Sequence, residues 1–244
     1  MIHPTALVSP KARLGKDVTI GAFTIIHDDV VIGEGSTIGS HCEIGYPTPL
    51  APGEMLVIGK GATIRSHSVF YQGSTFGDRL VTGHRVTVRE RTVAGDRLQV
   101  GTLGDIQGKC TIGHDVRMQS NVFVAQGTTL GNFVWLFPHV VLTNDRHPPS
   151  NIEVGATIED FGVIAAMAVV LPGVRVRTGA LVAANSTVNR DVEADTVVGG
   201  SPAKVLCSTA DLKLPDGSRA YPWRRHFHRG YPEDVVAAWV KQFS

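Results

Sequence analysis

The stretch MIHPTALVSPKARLGKDVTIGAFTIIHDDVVIGEGSTIGSHCEIG, residues 1–45, decides the fold. Ile2, Val8, Leu14, Ile20, Ile26, Ile32, Ile38 and Ile44 recur at every sixth position, and Gly15, Gly21, Gly33, Gly39 and Gly45 follow five of them. A period of six is neither the 3.6 of a helix nor a strand alternation continued indefinitely. It marks a β-helix built from six-residue units, each offering one short strand and one turn. No unit buries its aliphatic residue alone, so stability comes from stacking coil on coil.

The period breaks twice. YPTPLAPGEMLV, residues 46–57, carries three prolines that forbid ladder pairing and reads as a loop thrown out of the solenoid. The repeat resumes at Ile58 and keeps its phase to Leu142, with Thr82 and Ala94 as its weak core residues. A second loop, TNDRHPPSNIEVGAT at 143–157, precedes a third frame from Ile158 to Val188, and the repeat ends near VVGGSPAKV at 197–205. About ten coils at a strand spacing of about 4.8 Å predict a prism ~45 to 50 Å tall. The all-β solenoid is therefore expected over residues 1–206, with a C-terminal extension over 207–244.

In that extension, Pro232 suits a first helical position and Glu233 and Asp234 favour the positive end of a helix. Val236, Trp239, Val240 and Phe243 form one apolar face, so a short helix is expected to pack on the solenoid or on a neighbouring subunit. Such a helix would also cover the last coil's open edge. The tail holds the densest basic run of the chain, Arg224, Arg225, His226, His228 and Arg229. Two readings stand for it: phosphate contact, with Tyr221 or Trp223 stacking on a base, or ion pairing to another subunit.

Lys and Arg total 23 against 22 for Asp and Glu in 244 residues, a balance that gives no general attraction to nucleic acid or anionic membrane. A small-molecule or protein partner is the expectation. The opening MIHPTALVSP lacks a basic start followed by an apolar stretch, and nothing approaches a membrane-spanning run, so a cytoplasmic protein without membrane insertion is expected. Cys42, Cys110 and Cys207 are too few and scattered for a disulfide framework or a thiolate zinc site. Cys42 and Cys110 occupy a slot elsewhere filled by Ala, Ser, Thr or Val, which predicts small inward packing residues.

These residues resemble the hexapeptide-repeat acyltransferases, whose left-handed parallel β-helix completes one triangular coil with three hexads. IEDFGVIAAMAVVLPGVRV at 158–176, ALVAANSTVNRDV at 180–192 and VVGGSPAKV look like the C-terminal coils of members that use acetyl-CoA. That resemblance implies coenzyme A contacts at Ala166, Ala184 and Lys204, and a homotrimer with composite sites between solenoids. VRMQSNVFV at 116–124 followed by TNDRHPPS looks like sugar-nucleotide N-acetyltransferases, which directs attention to Gln119, Asn121 and Asn144 as substrate contacts. TGHRV at His84 and IGHDV at His114 resemble catalytic-histidine coils of related transferases.

With eighteen residues to a coil, His67, Arg85, Leu103, Asn121 and His139 share one edge of the prism, and His84 precedes Arg85 there. The loop with Asn144, Asp145 and His147 begins a few residues after His139, so edge and loop are expected to converge. Acyl transfer needs a base for the nucleophile's proton and donors for the thioester oxyanion. His139 or His147 is the expected base, with Asp145 orienting it and Asn121 holding sugar or oxyanion; His84 and His114 are the further candidates. A solvated corner histidine, and Asn144 and Asp145 as turn caps, are the alternatives at the same positions.

The function expected from the resemblance is transfer of an acetyl group from acetyl-CoA to an amino group of a nucleotide-activated sugar, without a covalent enzyme intermediate and with no metal. O-acetylation of a sugar or of serine is the alternative within the same chemistry. A γ-type carbonic anhydrase, with His67, His84 and His139 as zinc ligands, is the rival from another class. A scaffold or ice-binding role fits poorly, because outward positions mix Arg, Asp, His and Gln rather than aligned threonines.

Overall fold

The computed structural model describes residues 1–221, 223 and 230–243. The six-residue units form two- to four-residue strands along the solenoid, and these stack in parallel into three sheets of ten, nine and eleven strands, the last strand of the third being antiparallel. The ten-stranded face begins at Leu7–Val8, the nine-stranded face at Arg13–Leu14 and the eleven-stranded face at Thr19–Ile20. The chain visits them in that order, so residues eighteen apart pair in register, as Gln99 with Arg117 and Asp105 with Phe123. The expected all-β solenoid is the observed fold.

The period works because each hexad aims one large aliphatic inward. Ile20, Ile26, Ile32, Ile38, Ile44, Ile58 and Ile64 join Val100, Ile112, Leu142 and Val182 in one continuous buried core. Thr82, weak by composition, is buried all the same, and its hydroxyl accepts the Arg65 backbone N–H. Cys42 and Cys110 are buried as expected, and burial pushes the Cys110 thiol up to about 11. Ile2, by contrast, stays half exposed, because the first coil has no coil below it to close over its side chain.

The corner turns repeatedly use a residue in the left-handed region, from Asp17 to Asp195, and none of the non-glycine ones is Val, Ile or Thr. A β-branched side chain is the type least compatible with positive φ. Both loops leave the solenoid at the same edge, between the ten- and nine-stranded faces: one lies between Glu43–Tyr46 and Leu56–Ile58, the other between Val141–Leu142 and Thr157–Ile158.

The top of the solenoid departs from expectation. Lys204–Ser208 folds back antiparallel on Thr196–Gly199 and closes the eleven-stranded face. The C-terminal helix, Glu233–Phe243, lies instead against the side of the prism. There Trp223, Tyr231 and Trp239 bury themselves with Phe161 and Val163, against Phe133, Trp135 and Leu181. Val236 packs with this cluster, whereas Val240, expected on the apolar face, is largely exposed. The driving surface is the stacked pair Phe133–Phe161 on the coil edge, ring centroids 4.9 Å apart. Aromatic area offered by the solenoid wall outweighs the short aliphatic rim at its end.

Candidate functional site

At the edge between the eleven- and ten-stranded faces, His41, His67, Arg85, Leu103, Asn121, His139, Met167 and Asn185 all sit at the left-handed turn position. The coils are tied rung by rung: the Asn121 N–H donates to the Thr102 carbonyl, that of His139 to Ser120, Met167 to Pro138 and Asn185 to Ala166. Adjacent members of the column are thus one strand spacing, ~4.8 Å, apart. Phe23, His41 and His67 stack face to face at 5.1 and 4.9 Å. Higher up, His139 projects into solvent one coil above the half-buried Asn121.

The row just before this column carries Ser66, His84, Thr102, Ser120, Pro138, Ala166 and Ala184. His84, Asn121, His139, Ala166 and Ala184 therefore share one edge. His84 Nδ1 lies 2.8 Å from Ser66 Oγ, and its backbone N–H donates to Thr102 Oγ1. Three coils, roughly 14 Å at the strand spacing, separate His84 from the level of His139, so the two do not serve one reacting centre. Gln119 is exposed on the eleven-stranded face, in the same coil as Asn121, and lines an open groove of about 310 Å³. Lys204 is exposed at the start of the closing antiparallel strand.

Two expectations about this edge need correction. The loop 143–157 does not converge on it: the strand Val141–Leu142 stands between, and the loop departs from the next edge round the prism. Residue 145 is one hexad after 139, so counting hexads in threes separates them. Within the loop, Asp145 does not orient the His147 ring. Its carboxylate accepts the backbone N–H of His147 and of Ser150 and the Ser150 hydroxyl, at 2.9, 2.7 and 2.7 Å. The Ser150 hydroxyl bond, followed by those backbone donors, holds its carboxyl below the usual range. The Asn144 carbonyl accepts the Val154 N–H, and Asn144 and His147 line a loop cavity of about 290 Å³ with Arg146, Ile152, Val154 and Pro172.

His114 lies on the third edge, between the nine- and eleven-stranded faces. There a ladder runs in which each side chain accepts the backbone N–H one coil below: Asp78 from Lys60, Asp96 from Asp78, His114 Nδ1 from Asp96, Asn132 from His114, Asp160 from Asn132. His114 is a rung in this ladder, and accepting at Nδ1 fixes its tautomer with the proton on Nε2. Sequence reasoning missed the ladder, although Asp, His or Asn at every eighteenth position from Asp78 to Asn132 was visible; Asp160 follows after 28 residues, across the second loop.

Trp223 is buried in the aromatic cluster with its indole N–H donating to the Phe161 carbonyl, and Tyr221 packs beside it, so neither is presented to a base. Arg224, Arg225, His226, His228 and Arg229 lie outside the described residues. Arg117, absent from the sequence-based candidates, lines the Gln119 groove; its guanidinium lies 4.0 Å from the Tyr231 ring and donates to the Gly230 carbonyl. Among the described residues no three His, Cys, Asp or Glu side chains group as a metal site, and no helix is long and apolar enough to cross a membrane.

Residues 11–46 match the family model described as bacterial transferase hexapeptide (six repeats). Over 144 residues the chain is 31% identical to an acyl-[acyl-carrier-protein]–UDP-N-acetylglucosamine O-acyltransferase of Saccharophagus degradans, covering 59% of this chain and 51% of that protein. Over 85 residues it is 45% identical to a 2,3,4,5-tetrahydropyridine-2,6-dicarboxylate N-acetyltransferase of Staphylococcus aureus, 35% of each chain. The Arabidopsis UDP-N-acetylglucosamine acyltransferase structure superposes with a TM-score of 0.70 at 17% identity, covering 85% of this chain and 74% of that one. Superposition preserves hand, so the solenoid is the left-handed hexapeptide-repeat β-helix known from sugar-nucleotide acyltransferases. The chain spans about half the length of the O-acyltransferase relatives it matches.

These matches overturn the expected amino-group transfer from acetyl-CoA. A relative that matches 59% of the chain is an O-acyltransferase named for an acyl-carrier-protein donor, whereas the N-acetyltransferase match covers 35% of the chain, with an acceptor that is not an activated sugar. The resemblance to N-acetyltransferases rests on VRMQSNVFV together with TNDRHPPS, and the second of these lies in the loop after Leu142, an edge away from Asn121 and His139.

Proposed function

We propose that this chain is an acyltransferase that moves an acyl group from the thioester of an acyl carrier protein to a hydroxyl of a UDP-N-acetylglucosamine-type nucleotide sugar. One observation carries the assignment of the site: exposed His139 stands one coil above Asn121, between the Gln119 groove on one side and the small residues Ala166 and Ala184 above. The imidazole of His139 takes the proton of the sugar hydroxyl as its oxygen attacks the thioester carbonyl. The Asn121 carboxamide donates to the oxyanion of the tetrahedral intermediate. Collapse expels the thiol, which leaves with the proton returned by the imidazolium.

Ala166 and Ala184 leave room for the pantetheine arm along the edge, and Lys204, further up, supplies a cation for its phosphate. Assembly into a homotrimer, as the resemblance implies, would bring a neighbouring solenoid against this track. The test incubates the protein with acyl-acyl-carrier-protein and UDP-N-acetylglucosamine, and reads free thiol and the acylated sugar. A hydroxylamine-labile ester is the expected product. An amide, or transfer only from acetyl-CoA to serine, would overturn the assignment.

A further inference from the structure

The eleven-stranded face carries a depression that no sequence motif marks. Its turn row reads Arg65, Gly83, Gly101 and Gln119, and the open groove there lies between an arginine below and an amide above. Neither glycine accepts a Cβ, because the backbone of the next coil occupies that space. Gln99 and Arg117 form one wall, and Thr102 and Ser120 the other. No acidic residue lines the trough. Two guanidiniums line the trough, Arg65 donating through Nη1 to the Thr82 carbonyl and Arg117 through Nη2 to the Gly230 carbonyl; guanidinium N–H groups beside hydroxyls and amides are the donor set that binds phosphate oxygens.

We propose that this trough is the diphosphate subsite for the nucleotide of the acyl acceptor, with Arg65 and Arg117 as its phosphate ligands. The inference rests on the acceptor reading given above. From Arg117 the coil runs through Gln119 and round the corner to Asn121, a span shorter than the ~13 Å four residues would cover fully extended at about 3.3 Å each. A sugar at Asn121, under His139, therefore places its diphosphate beside Gln119 and Arg117. Arg65 keeps its backbone end fixed, since its N–H donates to Thr82 Oγ1.

The C-terminal strap enters this picture through Arg117. The Gly230 carbonyl accepts from Nη2 at 2.6 Å, and the guanidinium carbon lies 4.0 Å from the Tyr231 ring and 5.1 Å from that of Trp135. Tyr231, itself bonded through its hydroxyl to the Trp135 indole N–H, is a positioning residue: it holds the arginine at the trough without touching substrate. Docking of residues 230–243 thereby sets acceptor affinity from outside the solenoid.

The test uses the full chain and calorimetric binding of UDP, uridine and coenzyme A, because coenzyme A also carries a diphosphate. Arg65→Met and Arg117→Met are each expected to weaken UDP about tenfold, with uridine and coenzyme A unchanged. The hydrogen bonds of Arg65 among the described residues run to Thr82, within the solenoid, so its variant reports on the trough even if Arg117→Met loosens the tail. Tyr231→Leu is expected to raise KM for the nucleotide sugar about threefold while kcat holds, a split that simple destabilisation does not produce. Unchanged UDP affinity in both arginine variants, with transfer to the nucleotide sugar intact, overturns the subsite and leaves the acyltransferase reading standing. Loss of coenzyme A binding instead of UDP assigns the trough to the donor and overturns the proposal. Absence of both UDP binding and transfer in the wild-type protein removes subsite and acceptor together.

Discussion

Two edges of the prism share one backbone and use it in opposite ways. At the edge between the nine- and eleven-stranded faces, Asp78, Asp96, His114, Asn132 and Asp160 occupy the first turn position and reach back to the coil below, while Phe133 and Phe161 at the second are covered by the C-terminal strap. At the edge between the eleven- and ten-stranded faces, the first position holds Ser66, Thr102, Ser120, Ala166 and Ala184 beside His84 and Pro138, and the second projects His41, His67 and His139 into solvent. Residue type is the same at His114 and His139. Position within the turn decides whether the imidazole closes a coil or faces a substrate.

The largest expected effect tests that difference directly. His139→Ala should lower kcat by about a hundredfold to ten-thousandfold, the range for loss of a general base, with thermal stability unchanged. His114→Ala should leave kcat within about threefold and cost on the order of 1 kcal/mol of stability, for one backbone N–H left without its acceptor. The reverse pattern in paired kinetics and denaturation would exchange the roles of the two edges.

Next in size is the buried edge. Phe161→Ala removes a ring from beneath Trp223 and Trp239 and should destabilise by about 3 kcal/mol or more, visible as loss of tryptophan burial in fluorescence. The corresponding Phe23→Ala at the foot of the exposed edge should cost well under 1 kcal/mol, since that ring is already mostly solvated. Equal losses would show that both columns are packed alike.

The smallest effect is pH-dependent. Burial pushes the Tyr231 phenol up to about 12, from about 10 in the unfolded chain. A raised acid favours the protonated folded form, so its contribution is complete below about pH 10 and lost as pH rises through about 12. Strap docking should weaken across that window, and Tyr231→Phe should flatten the corresponding part of the profile, followed by tryptophan emission. A flat wild-type profile would mean that the phenol is exposed.

Much of this was legible in the chain itself. The isoleucines at every sixth place give the coils, and the step of eighteen places Asn121 under His139. What escaped is the modulus. His84 and His114 lie five hexads apart, not a multiple of three, and so fall on different edges, while the 143–157 loop begins one hexad too late to meet His139. The helix was legible as a helix, but its seat was not, because the aromatic rings that hold it come from Phe133, Trp135 and Phe161, far away in sequence. The trough was invisible for a different reason: Arg65, Gln99, Thr102, Arg117 and Gln119 line it together only once the coils are stacked.

The rungs that tie Asn185 to Ala166 and Met167 to Pro138 carry a consequence for how such a protein changes over time. They make the edge a scale graduated in whole coils. A side chain on it cannot drift along the axis by a fraction of a division, and insertion or deletion of a few residues is absorbed by a bulging loop, as at 47–55 and 145–154. The reach between a donor's anchoring point and the reacting carbonyl is therefore digital, altered only by adding or removing eighteen residues at once, in increments of about 4.8 Å.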